Sequence, residues 1–206
     1  ALNLLMDPKV NIVTLIGPAG TGKTMIALYA GLCQAVDDWH TVIPKQAQYN
    51  RLIVTRPIQP MGKDIGYLPG TLEEKMSPWV APINDNLQFL LGNGRDSLKE
   101  YVAEGIIEIE ALTYIRGRSI NNAFIVVDEI QNMTAHELKT VITRVGENSK
   151  IVLMGDIEQI DNIYIDETTN GLTYAVEKFK EHDIAGHITL TRGERSNVAT
   201  LAAKIL

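Results

Sequence analysis

The chain turns on the run Gly17-Pro18-Ala19-Gly20-Thr21-Gly22-Lys23-Thr24, which matches the pattern G-x-x-x-x-G-K-[ST] at every fixed position. The apolar run Ile12-Val13-Thr14-Leu15-Ile16 leads into it, and Met25-Ile26-Ala27-Leu28-Tyr29-Ala30 follows. That order reads as strand, glycine loop and helix, which is the setting the pattern requires. Glycines let backbone N–H groups turn inward around phosphate oxygens, and the helix N-terminus adds its partial positive charge at the same point. In such a loop Lys23 reaches the β- and γ-phosphates of a nucleotide, and Thr24 places its hydroxyl on Mg²⁺.

The sequence has 206 residues, enough for one sizeable α/β domain, and its 45% hydrophobic and 21% charged content argues against disorder. No apolar run approaches the roughly 20 residues of a membrane span. The first six residues lack the basic start of a secretory signal and are too few for one. The chain starts at Ala1, which reads as a domain cut from a longer protein. Cys33 is the only cysteine, so a disulfide framework is excluded; it reads as a small core hydrophobe in a cytoplasmic protein. A net charge of −6 argues against broad electrostatic clamping of nucleic acid but leaves room for a local basic site.

A short helix before Asp7-Pro8 precedes the glycine loop, and the helix after the loop runs to about Val36 with Ile26, Ala30 and Cys33 on one stripe. Arg51-Leu52-Ile53-Val54-Thr55 is a buried strand. The stretch 56–71 carries three prolines and three glycines, which forbid a regular element. Its Arg56 and Lys63 suit a phosphate backbone, and Tyr67 suits base stacking. Thr71 to Glu74 reads as a capping box, opening a helix that Pro78 and Pro82 interrupt before it resumes through Leu87 and Leu91. A short helix from Ser97 to Ala103 and a strand at Ile106–Ile109 follow, with Ala111–Ile115 as the start of a further helix.

Phe124-Ile125-Val126-Val127 is a fully apolar strand that empties into Asp128-Glu129-Ile130-Gln131. Two acids there are costly unless they sit at the edge of the sheet and are used. Downstream of a phosphate loop, Asp128 suits Mg²⁺ held through water, and Glu129 suits orienting or deprotonating the attacking water. Thr134 with Glu137 caps the next helix, whose inner face is Leu138, Val141, Ile142 and Val145 and which Gly146 ends. Lys150-Ile151-Val152-Leu153-Met154 is again a strand running into a polar turn, Gly155-Asp156-Ile157-Glu158-Gln159. There Gln159 suits reading the γ-phosphate or its water, and Asp156 suits fixing the turn. A helix at Gly171–Lys180, a strand at His187–Leu190 and a helix through Leu206 complete the chain. The four histidines are scattered without metal spacing. Strands alternating with helices argue a mostly parallel sheet covered on both faces.

These segments together resemble the PhoH-like ATPases, a group related to the first nucleotide-binding domain of superfamily 1 helicases. Gly17 to Thr24 matches their Walker A. Val127-Asp128-Glu129-Ile130-Gln131-Asn132 matches their Walker B, with Ile130 where Ala is more usual. Gly155-Asp156 through Gln159-Ile160-Asp161 matches the helicase motif that senses the γ-phosphate. Thr55-Arg56-Pro57, Gly66 to Gly70, Ile115-Arg116-Gly117-Arg118 and Gly193-Glu194-Arg195-Ser196 also look like family segments. The resemblance implies one α/β, three-layer RecA-like P-loop NTPase domain over residues 1–206, Mg²⁺-ATP hydrolysis and a homo-oligomeric, hexameric ring. It further implies single-stranded RNA as partner and, in the subgroup most resembled, a PIN-type nuclease domain upstream in the longer chain.

Superfamily 1 helicases place ATP between two RecA-like domains, the second of which supplies arginines. This chain has room for one. Arg116, Arg118, Arg192 and Arg195 therefore suit a neighbour's site in trans, although Arg195 also suits its own. Two rival readings stand beside the RNA motor: a small-molecule kinase and a slow nucleotide-dependent switch. The dispersed arginines and a water-directed Glu129 speak against the kinase; RNA-stimulated turnover separates motor from switch.

Overall fold

Four of the strands are buried along most of their length, and the structure shows why. Alternate residues of one strand serve opposite faces of a single sheet. In this computed structural model, which describes residues 1–37, 47–57, 72–92, 95–112 and 119–193, Val13 and Leu15, Leu52 and Val54, Phe124 and Val126, and Val152 and Met154 form one core. Ile12, Ile53, Ile125 and Val127, and Ile151 and Leu153 form the other.

Among the described residues six strands make the sheet: β1 (Ile12–Ile16), β2 (Arg51–Arg56), β3 (Ile107–Ala111), β4 (Ala123–Val127), β5 (Lys150–Gly155) and β6 (Ala185–Thr189), in the order β3-β2-β4-β5-β1-β6. All five pairings are parallel. Helices α1 (Leu2–Met6), α2 (Lys23–Ala35), α3 (Leu72–Leu91) and α4 (Arg95–Ala103) go with the first core, which takes in Leu5, Leu28, Leu32, Ile83, Leu87 and Leu98. Helices α5 (Ala135–Ile142) and α6 (Gly171–Phe179) supply Leu138, Val141, Leu172 and Ala175 to the second. The result is the three-layer, RecA-like α/β fold. Its defining feature is that β5 lies between β1 and β4, so the glycine loop and the Asp128-Glu129 turn flank the Gly155-Asp156 turn at one edge of the sheet.

Several local expectations need correction. Helix α3 is continuous through Pro78 and Pro82. Each proline removes one backbone hydrogen bond, but Ile83 and Leu87 are buried in the core and anchor the helix. Ala111 closes β3 and helix begins at Leu112, one residue later than expected, with the rest of the 111–115 segment outside the described residues. Helix α5 ends at Ile142, four residues before Gly146. Gly146 is there for space, because a Cβ would run into the Asn121 side chain. The inner face of α2 is Ala27, Leu28, Ala30, Gly31, Leu32, Gln34 and Ala35, and Cys33 is only half-buried. The capping box of α5 is as read: Thr134 Oγ1 accepts from the Glu137 N–H at 3.2 Å and Glu137 Oε2 accepts from the Thr134 N–H at 2.9 Å. Trp39-His40, Lys63, Tyr67, Thr71, Arg116, Arg118, Arg195 and the C-terminal helix lie outside the described residues.

Candidate active site

The site begins with backbone conformation. Gly20 and Gly22 both sit at φ +80°, a left-handed region open to glycine, and Gly22 is the N-cap of α2 without a side-chain cap bond. The first N–H groups of α2 are thereby directed at the loop rather than at a capping side chain. Gly17 is required by crowding: a Cβ there would strike the carbonyl oxygen of Leu190, whose own N–H holds Ile16 O at 2.7 Å. Lys23 Nζ donates to the carbonyls of Gly17 and of Pro18, the latter at 3.0 Å. The lysine thus closes the loop on itself.

Opposite lies the Asp128-Glu129 turn. Asp128 is 7% exposed, and its Oδ2 accepts from the Thr24 hydroxyl at 3.0 Å. Burial pushes its carboxyl up, the Glu129 charge adds to this, and the Thr24 hydrogen bond, the Arg56 guanidinium and the Glu129 N–H pull it back down. Arg56, at the end of β2, therefore favours the ionised form of Asp128. Glu129 adopts φ 57°, ψ 34°, a left-handed conformation that a non-glycine residue holds only when its surroundings enforce it. The chain then turns through the 3₁₀ segment Ile130–Asn132 and brings Gln131 back beneath Glu129.

Gln131 and Asp156 complete the frame. Gln131 is fully buried. Its Nε2 donates to Glu129 Oε2 at 2.6 Å and to the Gln159 carbonyl at 3.0 Å, while its Oε1 accepts from the Asp156 N–H at 3.2 Å. Asp156 Oδ1 accepts from the Glu158 N–H at 3.0 Å, fixing the turn as expected. Its Oδ2 also accepts from the Ala19 N–H at 3.0 Å, which ties that turn to the glycine loop. Between these elements lies a cleft of about 320 Å³ lined by Gly20, Lys23, Thr24, Asp128, Glu129 and Gln159 among others.

The structure therefore brings together Ala19, Gly20, Gly22, Lys23, Thr24, Asp128, Glu129 and Gln159. Arg192 is exposed and is not among the described residues lining the cleft. Its segment does run beside the loop, since a Cβ on Gly193 would lie 3.6 Å from the Ala19 carbonyl oxygen. Sequence reasoning missed Asn86, which α3 brings to the cleft, and the joining role of Gln131. A glutamine in a buried turn behind an apolar strand was the available signal.

A strand–glycine loop–helix unit and an acid pair at the end of a neighbouring apolar strand, set on one edge of a parallel sheet, define a P-loop NTPase domain. The chain belongs to the PhoH family: the family model for PhoH-like protein matches residues 1–205. Protein PhoH2 of Bacillus subtilis (strain 168) is 55% identical over 208 residues, covering 100% of this chain and 45% of that protein. Protein PhoH2 of Mycolicibacterium smegmatis is 40% identical over 207 residues, covering 100% and 45%. The chain spans about half the length of the curated relatives it matches. Among solved structures, the Pif1 helicase from Candida albicans aligns with a TM-score of 0.44 at 15% identity over 98% of this chain and 41% of that one.

Proposed function

We propose that residues 1–206 form a single ATPase unit of a longer chain that hydrolyses Mg²⁺-ATP, and that it works in a hexameric ring coupling hydrolysis to movement along, or unwinding of, single-stranded RNA. The observation that carries the hydrolytic part is the convergence of Thr24, Asp128 and Glu129 on one cleft, with the Thr24 hydroxyl 3.0 Å from Asp128.

In this reading the loop from Gly17 to Thr24 cradles the phosphates, and Lys23 leaves the Gly17 and Pro18 carbonyls to meet the β- and γ-phosphates. Thr24 and Asp128 offer adjacent hard oxygen donors, a set that fits Mg²⁺ when phosphate and water complete its shell. When bound, the ion neutralises charge on the phosphate oxygens. Glu129 orients the attacking water and takes up its proton, and Gln159 contacts the γ-phosphate or that water.

Arg192 and Arg195 neutralise charge in the transition state, in their own site or a neighbour's. Such an arginine can be worth about 10³-fold or more in rate. A ring follows from the resemblance. RNA, and a PIN-type nuclease domain upstream, also follow from the resemblance; the length of the relatives leaves room for a further domain. Among the described residues no helix is long and apolar enough to cross a membrane. A cytoplasmic location fits an enzyme whose substrate is ATP.

The test is steady-state ATP hydrolysis with Mg²⁺, with and without single-stranded RNA, alongside sedimentation of the same sample. RNA-stimulated turnover by a ring is expected. Turnover indifferent to RNA removes the motor reading and leaves the hydrolytic one standing.

A further inference from the structure

We infer that Gln131 is a positioning residue: its amide fixes the Glu129 carboxylate and ties it to the 156–159 turn, so that displacement of the turn is felt at Glu129. The inference rests on the proposed role of Glu129 as the water-activating base and deepens it.

Gln131 lies between two loops that belong to different strands. Its nitrogen faces two acceptors, Glu129 Oε2 at 2.6 Å and the Gln159 carbonyl at 3.0 Å, and its oxygen faces one donor, the Asp156 N–H at 3.2 Å. A flipped amide would set its oxygen against a carboxylate and its nitrogen against an N–H, so the orientation is fixed by its partners. Only Oε2 of Glu129 is held by the amide, which leaves Oε1 for a substrate water. Gly155 is a second, independent sign that the pocket is shaped for this amide, because a Cβ at Gly155 would overlap Gln131 Oε1. The residue is fully buried, so none of these bonds is readily exchanged for one to water. The same amide nitrogen thus serves the base and the backbone of Gln159, the residue placed to read the γ-phosphate. When that turn shifts, the shared donor shifts, and the carboxylate moves with it.

The test uses Gln131→Met and Gln131→Glu in the intact protein, beside Glu129→Gln. It reads kcat and KM for ATP hydrolysis, affinity for a fluorescent ATP analogue, and thermal melting. Gln131→Met, of similar length but without the amide, is expected to lower kcat about 10- to 100-fold, the scale of a misplaced reacting group, with analogue affinity held within about threefold. Gln131→Glu keeps the length and sets a like charge against the Glu129 carboxylate, so kcat is expected to fall at least as far as in Gln131→Met with KM unchanged. A merely structural role moves kcat and KM together.

Unchanged kcat in a folded Gln131→Met protein overturns the inference. So does loss of analogue affinity in step with kcat, or failure of both variants to fold. If instead Glu129→Gln hydrolyses ATP as the parent does, the role of Glu129 fails first, and this outcome is read from a different variant.

Discussion

The Thr24 hydroxyl donates to Asp128 at 3.0 Å, joining the first turn of α2 to the end of β4 across 104 residues of sequence. The contact exists because β5 separates β1 from β4 without moving their ends apart, so both strands deliver polar groups to one cleft.

Asp128 is an acid kept for function at a cost to stability. Its folded pKa is raised, first by burial and then by the Glu129 charge. A raised carboxyl pKa means that the ionised group penalises the fold above that pKa. The penalty is relieved as pH falls through the folded pKa, until the unfolded chain also protonates near 3.8. Asp128→Asn can keep its hydrogen-bond partners and loses the charge. In nucleotide-free protein at neutral pH the variant is expected to melt about 2–4 °C higher, the equivalent of roughly 1 kcal/mol, while losing ATP turnover. A lower melting temperature refutes the charge argument.

Gly17→Ala places a methyl group against the Leu190 carbonyl, at the point where β6 leaves the sheet. Backbone, not a flexible side chain, is the obstacle. A loss of about 1–3 kcal/mol in stability is expected, together with weaker nucleotide binding as the 190–193 segment shifts beside the loop. Denaturant melts and an analogue titration measure both; an unaltered midpoint counts against the contact.

The glycine loop, the Asp128-Glu129 pair and the Thr134–Glu137 capping box were legible because each is local: a few adjacent residues of the right type suffice. The bridges from Asp156 to Ala19 and from Gln131 to Gln159 were not. They join loops 137 and 28 residues apart in sequence, and only the strand order sets those loops side by side. Pro78 and Pro82 misled in the opposite sense. Their local preference for breaking a helix is real, and burial of Ile83 and Leu87 overrides it. Gly146 looked like a helix stop by type, yet its reason is the nearby Asn121 side chain, a contact no local pattern contains.

Lys150 gives a prediction far from the site. Its side chain is buried at the C-terminal end of α1 and donates to the Leu5 and Asp7 carbonyls at 2.7 and 2.8 Å. Burial lowers its pKa from 10.5 to about 8, with Asp7 pulling the other way. Below about 8 the folded state carries the whole cost of the buried charge; between about 8 and 10.5 it sheds the proton while the unfolded chain keeps it. Stability therefore gains from this group as pH rises through that window, by at most about 1.4 kcal/mol per pH unit. Urea melts from pH 8 upward should show a steeper rise for the parent protein than for Lys150→Met. Parallel curves contradict it.

Under the proposed function Glu129 drives hydrolysis in the cleft lined by Lys23, Thr24 and Asp128. The most direct test is Glu129→Gln, read by nucleotide affinity and by single-turnover phosphate release in Mg²⁺-ATP. Affinity within about threefold of the parent is expected, with phosphate release slowed by at least about 10²-fold, in the range of a lost general base. Phosphate release at the parental rate would contradict it.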